Sequence, residues 1–74
     1  MKHKTYGYDL AAFGRRLKNA IEDKGMSQLE FAARAEISQP SVSAYIAGSR
    51  KMTIAMLYNI CQVLNVSASD LLGF

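Results

Sequence analysis

A compact, all-α fold of five short helices follows from two features that recur along this sequence. Apolar residues return at three- and four-residue spacing in separate stretches, the pattern of one buried helix face. Each stretch opens with a Ser, Thr or Asp able to cap a helix start, and several close with Gly or Asn, which tolerate the left-handed conformation that ends a helix. The 74 residues amount to one domain, and 50% of them are hydrophobic, enough for a single core.

The elements follow in order. Residues 1–8, MKHKTYGY, show no apolar periodicity and read as a flexible arm, so the folded domain is placed over 9–74. Asp9 caps helix 1, in which Leu10, Phe13, Leu17, Ala20 and Ile21 form one stripe; the helix is expected over about Leu10 to Lys24, with Gly25 as its stop. Ser27-Gln-Leu-Glu30 has the form of a capping box, the serine hydroxyl accepting a first-turn amide while the glutamate reaches back to the Ser27 amide. Helix 2 starts there, carries Phe31, Ala32, Ala33 and Ala35, and ends near Ala35. Small residues on it let a neighbouring helix approach closely.

Ser38 caps again, and Pro40 falls in the first turn of helix 3, where an amide donor would have no intrahelical partner. Helix 3 is placed over Gln39 to Ala47, turning Val42 and Tyr45 or Ile46 inward, with Gly48 as its stop. Ser49-Arg50-Lys51 makes a basic loop. Thr53 caps helix 4, whose Ile54, Leu57, Ile60, Cys61 and Leu64 share a face, and Asn65 ends it. Ser67 to Asp70 cap a short fifth helix bearing Leu71 and Leu72.

Composition narrows the function. A single cysteine, Cys61, cannot close an internal disulfide, so a reducing compartment, the cytoplasm, is expected, with Cys61 a small core residue. No apolar run approaches the roughly 20 residues of a membrane helix, and the amino-terminal stretch lacks the apolar core of a signal peptide. Nine Lys and Arg against six Asp and Glu, a formal charge of +3, suit a polyanionic partner without requiring one. His3 has no cluster of Cys or carboxylates at ligand spacing, so no metal is expected. Glu22 and Asp23, adjacent on a helix, point about 100° apart and cannot act on one substrate atom. With no activated nucleophile or acid and base pair, an enzyme is not expected, and no cofactor is implied.

The informative junction lies between helices 2 and 3. Two short capped helices separated by a tight turn, then a glycine and a basic loop, have the spacing of a helix-turn-helix, in which the second helix lies in the DNA major groove. That helix must be slim enough to enter a groove about 12 Å wide. With Val42 and Tyr45 turned inward, its outward residues are Gln39, Pro40, Ser43, Ala44 and Ala47. Gln39 can bond an adenine edge, Ser43 can donate or accept, and Pro40 or Ala44 can pack on a thymine methyl. The same face also reads as an ordinary solvated surface.

Read together, Gly25-Met-Ser-Gln28, Phe31-Ala32, Ile37-Ser38, Ser41-Val-Ser43, Gly48, Leu57, Leu64-Asn-Val-Ser67 and Asp70-Leu-Leu72 carry a resemblance. From about Leu10 to Gly73 the chain resembles the Cro and CI family of phage-type repressors, also called the XRE family. The resemblance implies a five-helix, lambda-repressor-like DNA-binding domain. It places base contacts on Gln39, Pro40, Ser43 and Ala44, and phosphate contacts on Gln28, Ser38, Ser49, Arg50 and Lys51. It implies a repressor or Cro-like regulator that binds double-stranded DNA at a pseudo-palindromic operator, as a homodimer through the helix 5 region. Met52, Met56 and Phe74, which find no place in the core from sequence, would meet the twin there. Lys2, Lys4 and Tyr6 can form an arm reaching the DNA backbone or minor groove, or hang free. Arg15, Arg16 and Lys18 read as a solvated face.

Two departures from the family pattern stand out. Where relatives often pair an arginine of helix 1 with a glutamate of helix 3, this chain has Ile21 and Ile46, expected to touch, since a buried ion pair is replaced without cost only when both members change. Pro40 and Ala44 stand where longer polar side chains are frequent, which alters the operator rather than the binding. Two further readings share the fold: an antitoxin whose DNA-binding domain also sequesters a toxin, and a protein-interaction module that no longer binds DNA.

Overall fold

Every helix starts at a short polar residue whose side chain accepts hydrogen bonds from the first-turn amides. The computed structural model describes residues 8–74 and shows α1 (Leu10–Asp23), α2 (Gln28–Ala35), α3 (Gln39–Ala47), α4 (Ile54–Leu64) and α5 (Ala68–Leu72). The Asp9 carboxylate takes the amides of Ala11 and Ala12 at 3.0 and 3.2 Å. Ser27 takes Glu30 at 3.0 Å, Ser38 takes Ser41 at 3.2 Å, Thr53 takes Met56 at 3.1 Å and Ser67 takes Asp70 at 3.1 Å. Each such cap contributes about 1 kcal/mol. The contacts expected of Lys2, Lys4 and Tyr6, and the absence of a metal at His3, lie outside the described residues.

One cap differs from expectation. The capping box predicted at Ser27 is only half formed, because the Glu30 carboxylate pairs with Arg34 at 3.0 Å instead of turning back to the Ser27 amide. An opposite charge one turn onward competes for it. The complete box lies at α5, where the Ser67 amide donates to the Asp70 carboxylate at 3.1 Å.

The helices enclose one core. Phe13, Leu17 and Ile21 of α1, Phe31, Ala32 and Ala35 of α2, Val42 and Tyr45 of α3, Ile60 and Leu64 of α4 and Leu71 of α5 are all buried in it. Ile46 packs against the same cluster as Ile21, half-buried. Met52 and Met56 also lean on this core, contrary to the expectation that they lacked a place in it. Burial deepens along α4 from Ile54, which is 87% exposed, through half-buried Leu57 to Ile60 and Leu64. The first residue of α4 therefore stands outside the core, and Ile54 does not join the stripe predicted for it.

Tyr8, assigned to the arm from sequence, packs on the body as well. Its ring centroid lies 5.5 Å from that of Phe13, and its hydroxyl accepts the Met52 amide at 3.2 Å. Arg16, expected in a solvated face, is half-buried and donates to the Leu72 carbonyl at 3.4 Å, satisfying an orphan acceptor at the end of α5. Asn59 donates to the Ala35 carbonyl at 2.8 Å and so ties α4 to the last turn of α2.

The position of α3 depends on Gly14. α1 packs on α3, and at Gly14 the two backbones come so close that a Cβ there would lie 2.1 Å from the Ile46 carbonyl oxygen and 2.9 Å from that of Tyr45. Alanine normally gains about 1 kcal/mol over glycine inside a helix. Here the added methyl meets backbone that cannot turn aside, and overpacking of this kind costs about 3 kcal/mol or more. Gly14→Ala is predicted to destabilise the domain by about 2 kcal/mol or more in urea unfolding; unchanged or raised stability would show that the helices are not in this contact.

Candidate nucleic-acid interface

The turn between α2 and α3 holds the two helices in a fixed relation. Glu36 adopts a left-handed conformation at φ 57°, and the Ile37 amide donates back to the Ala32 carbonyl at 3.0 Å. Ile37 then packs half-buried against the core, and the chain enters α3 at its Ser38 cap. The sequence offered no sign of the Glu36 conformation, since residues other than Gly and Asn seldom take it.

α3 presents the face that its sequence predicts. Val42 is 0% and Tyr45 7% exposed, both turned inward. Gln39, Pro40, Ser43 and Ala47 are exposed and Ala44 is half-buried. Among the described residues, no intramolecular hydrogen bond engages the Gln39 or Ser43 side chains, so both remain available to an external partner. The outward surface is a thin ridge of small groups with a single amide at its leading end.

The residues expected to meet phosphate separate into two kinds. Ser38 donates to the Ser41 hydroxyl at 2.8 Å while accepting the Ser41 amide, so its hydroxyl serves the cap. Ser49 donates through its hydroxyl and its amide to the Ala44 carbonyl, at 3.2 and 3.0 Å, and closes the end of α3. Lys51 is exposed and Gln28 half-buried at the start of α2. Arg50 folds back along α3: its Nη1 donates to the Ser41 hydroxyl at 2.8 Å, and its guanidinium carbon stands 5.9 Å from the centroid of the Tyr45 ring. Ser41 thus joins Ser38 to Arg50, a role that the sequence could not show because nine positions separate Ser41 from Arg50.

Comparison with known proteins agrees with this geometry. The helix-turn-helix family model HTH_3 matches residues 17–71. The chain belongs to this helix-turn-helix family. It is 35% identical over 60 residues to antitoxin PezA of Streptococcus pneumoniae, covering 81% of this chain and 38% of that protein. It therefore spans little more than a third of the curated relative. The restriction-modification controller protein C.AhdI of Aeromonas hydrophila superposes with a TM-score of 0.81 at 25% identity, covering 85% of this chain and 96% of that one. The biofilm master regulator SinR, solved in complex with DNA, superposes with a TM-score of 0.77 at 30% identity, covering 81% and 97%. The clp gene regulator ClgR of C. glutamicum gives 0.79 at 25% identity, covering 90% and 87%. These neighbours share the lambda-repressor-like five-helix fold predicted from the sequence.

Away from the helix-turn-helix, Cys61 sits half-buried on α4. Burial pushes its thiol pKa up, and the negative charge of Asp70 adds to the rise. The stabilising share of the buried neutral thiol is present in full below the ordinary thiol pKa and is lost as pH rises through the raised value. The thiolate is the reactive form. At mildly alkaline pH, Cys61 is predicted to react with a thiol reagent more slowly than free cysteine does, and to match it once urea unfolds the chain; equal rates in the folded state would contradict the burial.

Proposed function

We propose that this chain is a sequence-specific, DNA-binding transcriptional regulator that reads the major groove with α3. The observation that carries the reading is the outward ridge of α3: buried Val42 and Tyr45 fix one side, leaving a face of Gln39, Pro40, Ser43 and Ala44 slim enough for the groove. Gln39 bonds an adenine edge, Ser43 donates or accepts, and Pro40 and Ala44 meet thymine methyls. Arg50 and Lys51 supply positive charge to the phosphates. Gln28, Ser38 and Ser49 contact phosphate too. That SinR, a protein of the same fold, was solved in complex with DNA supports the DNA-binding part of this reading.

The regulator acts most directly by occupying its operator, as a repressor or Cro-like protein in the cytoplasm. No helix among the described residues is long and apolar enough to cross a membrane. A second reading, that the chain is also an antitoxin holding a toxin protein, is favoured by the 35% identity to PezA; a toxin reading frame beside its gene would decide for it.

Operator binding by a homodimer places two α3 helices about 34 Å apart on a pseudo-palindrome. With Met52 and Met56 leaning on the core, the proposed dimer surface moves to the exposed part of α4 beside α5. There Ile54 is 87% and Tyr58 68% exposed, at the edge of a shallow groove of about 360 Å³ lined also by Leu57, Cys61 and Val66. Phe74, at 89% exposed, stands free at the other end of α5.

Selection of bound sequences from random duplexes should yield a two-fold related site. Affinity for it is predicted to fall steeply between about 50 and 300 mM salt, as released counterions require. Gln39→Ala should cost about 1 to 3 kcal/mol and relax one base pair, whereas Lys51→Ala should weaken all sequences alike; unchanged discrimination in the first would remove α3 as the reader. Tyr58→Asp combined with Ile54→Asp should give a folded monomer by sedimentation, with the preference for paired half-sites lost. A dimer surviving both substitutions would place the interface elsewhere.

A further inference from the structure

The side chain of Ser41 faces neither the core nor the proposed base-reading ridge, and two neighbours, Ser38 and Arg50, converge on it. Its backbone amide donates to the Ser38 hydroxyl at 3.2 Å, its Oγ accepts from that hydroxyl at 2.8 Å, and the same Oγ accepts from Arg50 Nη1 at 2.8 Å. A serine oxygen has two lone pairs, and both are taken by these donors. The Ser41 hydroxyl is therefore oriented as an acceptor toward Arg50 by a bond on its other side.

Arg50 is held at a second point. Its guanidinium carbon lies 5.9 Å from the Tyr45 ring, which is itself 7% exposed and thus a rigid floor. Among the described residues the one ion pair is that of Arg34 with Glu30, so Arg50 is fixed by a neutral hydroxyl and a ring, not by a carboxylate. Among the described residues nothing compensates its charge, and one of about five guanidinium donors is used. A long side chain free in solvent would lose rotamer freedom on meeting phosphate; this one is already confined.

We propose that Ser41 is a positioning residue that sets Arg50 against α3 before DNA arrives, so that the phosphate clamp and the reading helix approach as one rigid unit. The proposal rests on the DNA-binding reading above and adds a residue to it. Ser41 acts through Arg50 and is not itself the phosphate ligand.

The test is a double-mutant cycle on the full chain, using a mixed-sequence duplex of about 25 base pairs, long enough for two half-sites one helical turn apart. Phosphate contacts do not depend on sequence, so no operator is needed. Ser41→Ala keeps the backbone amide that completes the Ser38 cap, and folding is checked by helical circular dichroism and melting. The expected result is binding weaker by about threefold to tenfold with Arg50 present, and unchanged within about twofold in an Arg50→Ala background. Ser41→Thr, which keeps the hydroxyl, should restore binding.

Equal weakening in both backgrounds would show a structural role only and overturn the proposal, as would no weakening with Arg50 present. Failure of the unaltered chain to bind the duplex at low salt would overturn the DNA-binding reading itself, and this proposal with it.

Discussion

The close passage of α1 behind α3 is the constraint on which the interface depends. At Gly14 the α1 backbone leaves no room for even a methyl group against the Tyr45 and Ile46 carbonyls. A second approach supports the first: a Cβ at Gly48 would lie 3.1 Å from the α-carbon of Ala11 and from the Leu10 carbonyl. The last turn of α3 is therefore pressed directly onto the first half of α1. With backbone against backbone at one end and Val42 and Tyr45 sunk in the core along its length, α3 has little freedom to roll. A helix so held can offer its other side to a groove without losing register.

Polar interactions then distribute that rigidity. Caps at both ends of α3, by Ser38 at its start and by Ser49 at its end, satisfy groups that would otherwise demand water. Asn59 reaches the Ala35 carbonyl and holds the end of α2, the helix that supports α3, through α4. Arg16 does the same for α5 from α1. In a domain this small the apolar core alone leaves a thin margin, and such cross-links between helix ends resist fraying where the elements are shortest. The Ser38, Ser41 and Arg50 chain extends the pattern from stability toward binding, because its last member is a cation.

Much of this was legible in the sequence, and for a local reason. Helix starts are announced by side chains that bond amides two or three residues onward, and stops by residues that tolerate positive φ; Asp9, Ser27, Ser38, Thr53, Ser67, Gly25, Gly48 and Asn65 each carry that information alone. The inward and outward sides of α3 followed from Val42 and Tyr45, three positions apart on one helix face. At Glu30 the competing partner, Arg34, lay only one turn onward. Elsewhere the deciding partner was farther along the chain: Met52 and Met56 found the core, Arg16 found the end of α5, and the Tyr8 hydroxyl found Met52.

By itself, the sequence determined where five helices begin and end and which residues of the third point outward, because capping, turn chemistry and periodicity act within about one helical turn. Tertiary structure alone decided that Gly14 must be glycine, that Glu36 must turn left-handed, that Ile54 and Tyr58 stand clear of the core, and that Arg50 lies against Ser41. The first and third of those depend on which helix does or does not pass beside the residue. That is set by the packing of the whole core, to which no short stretch of chain has access.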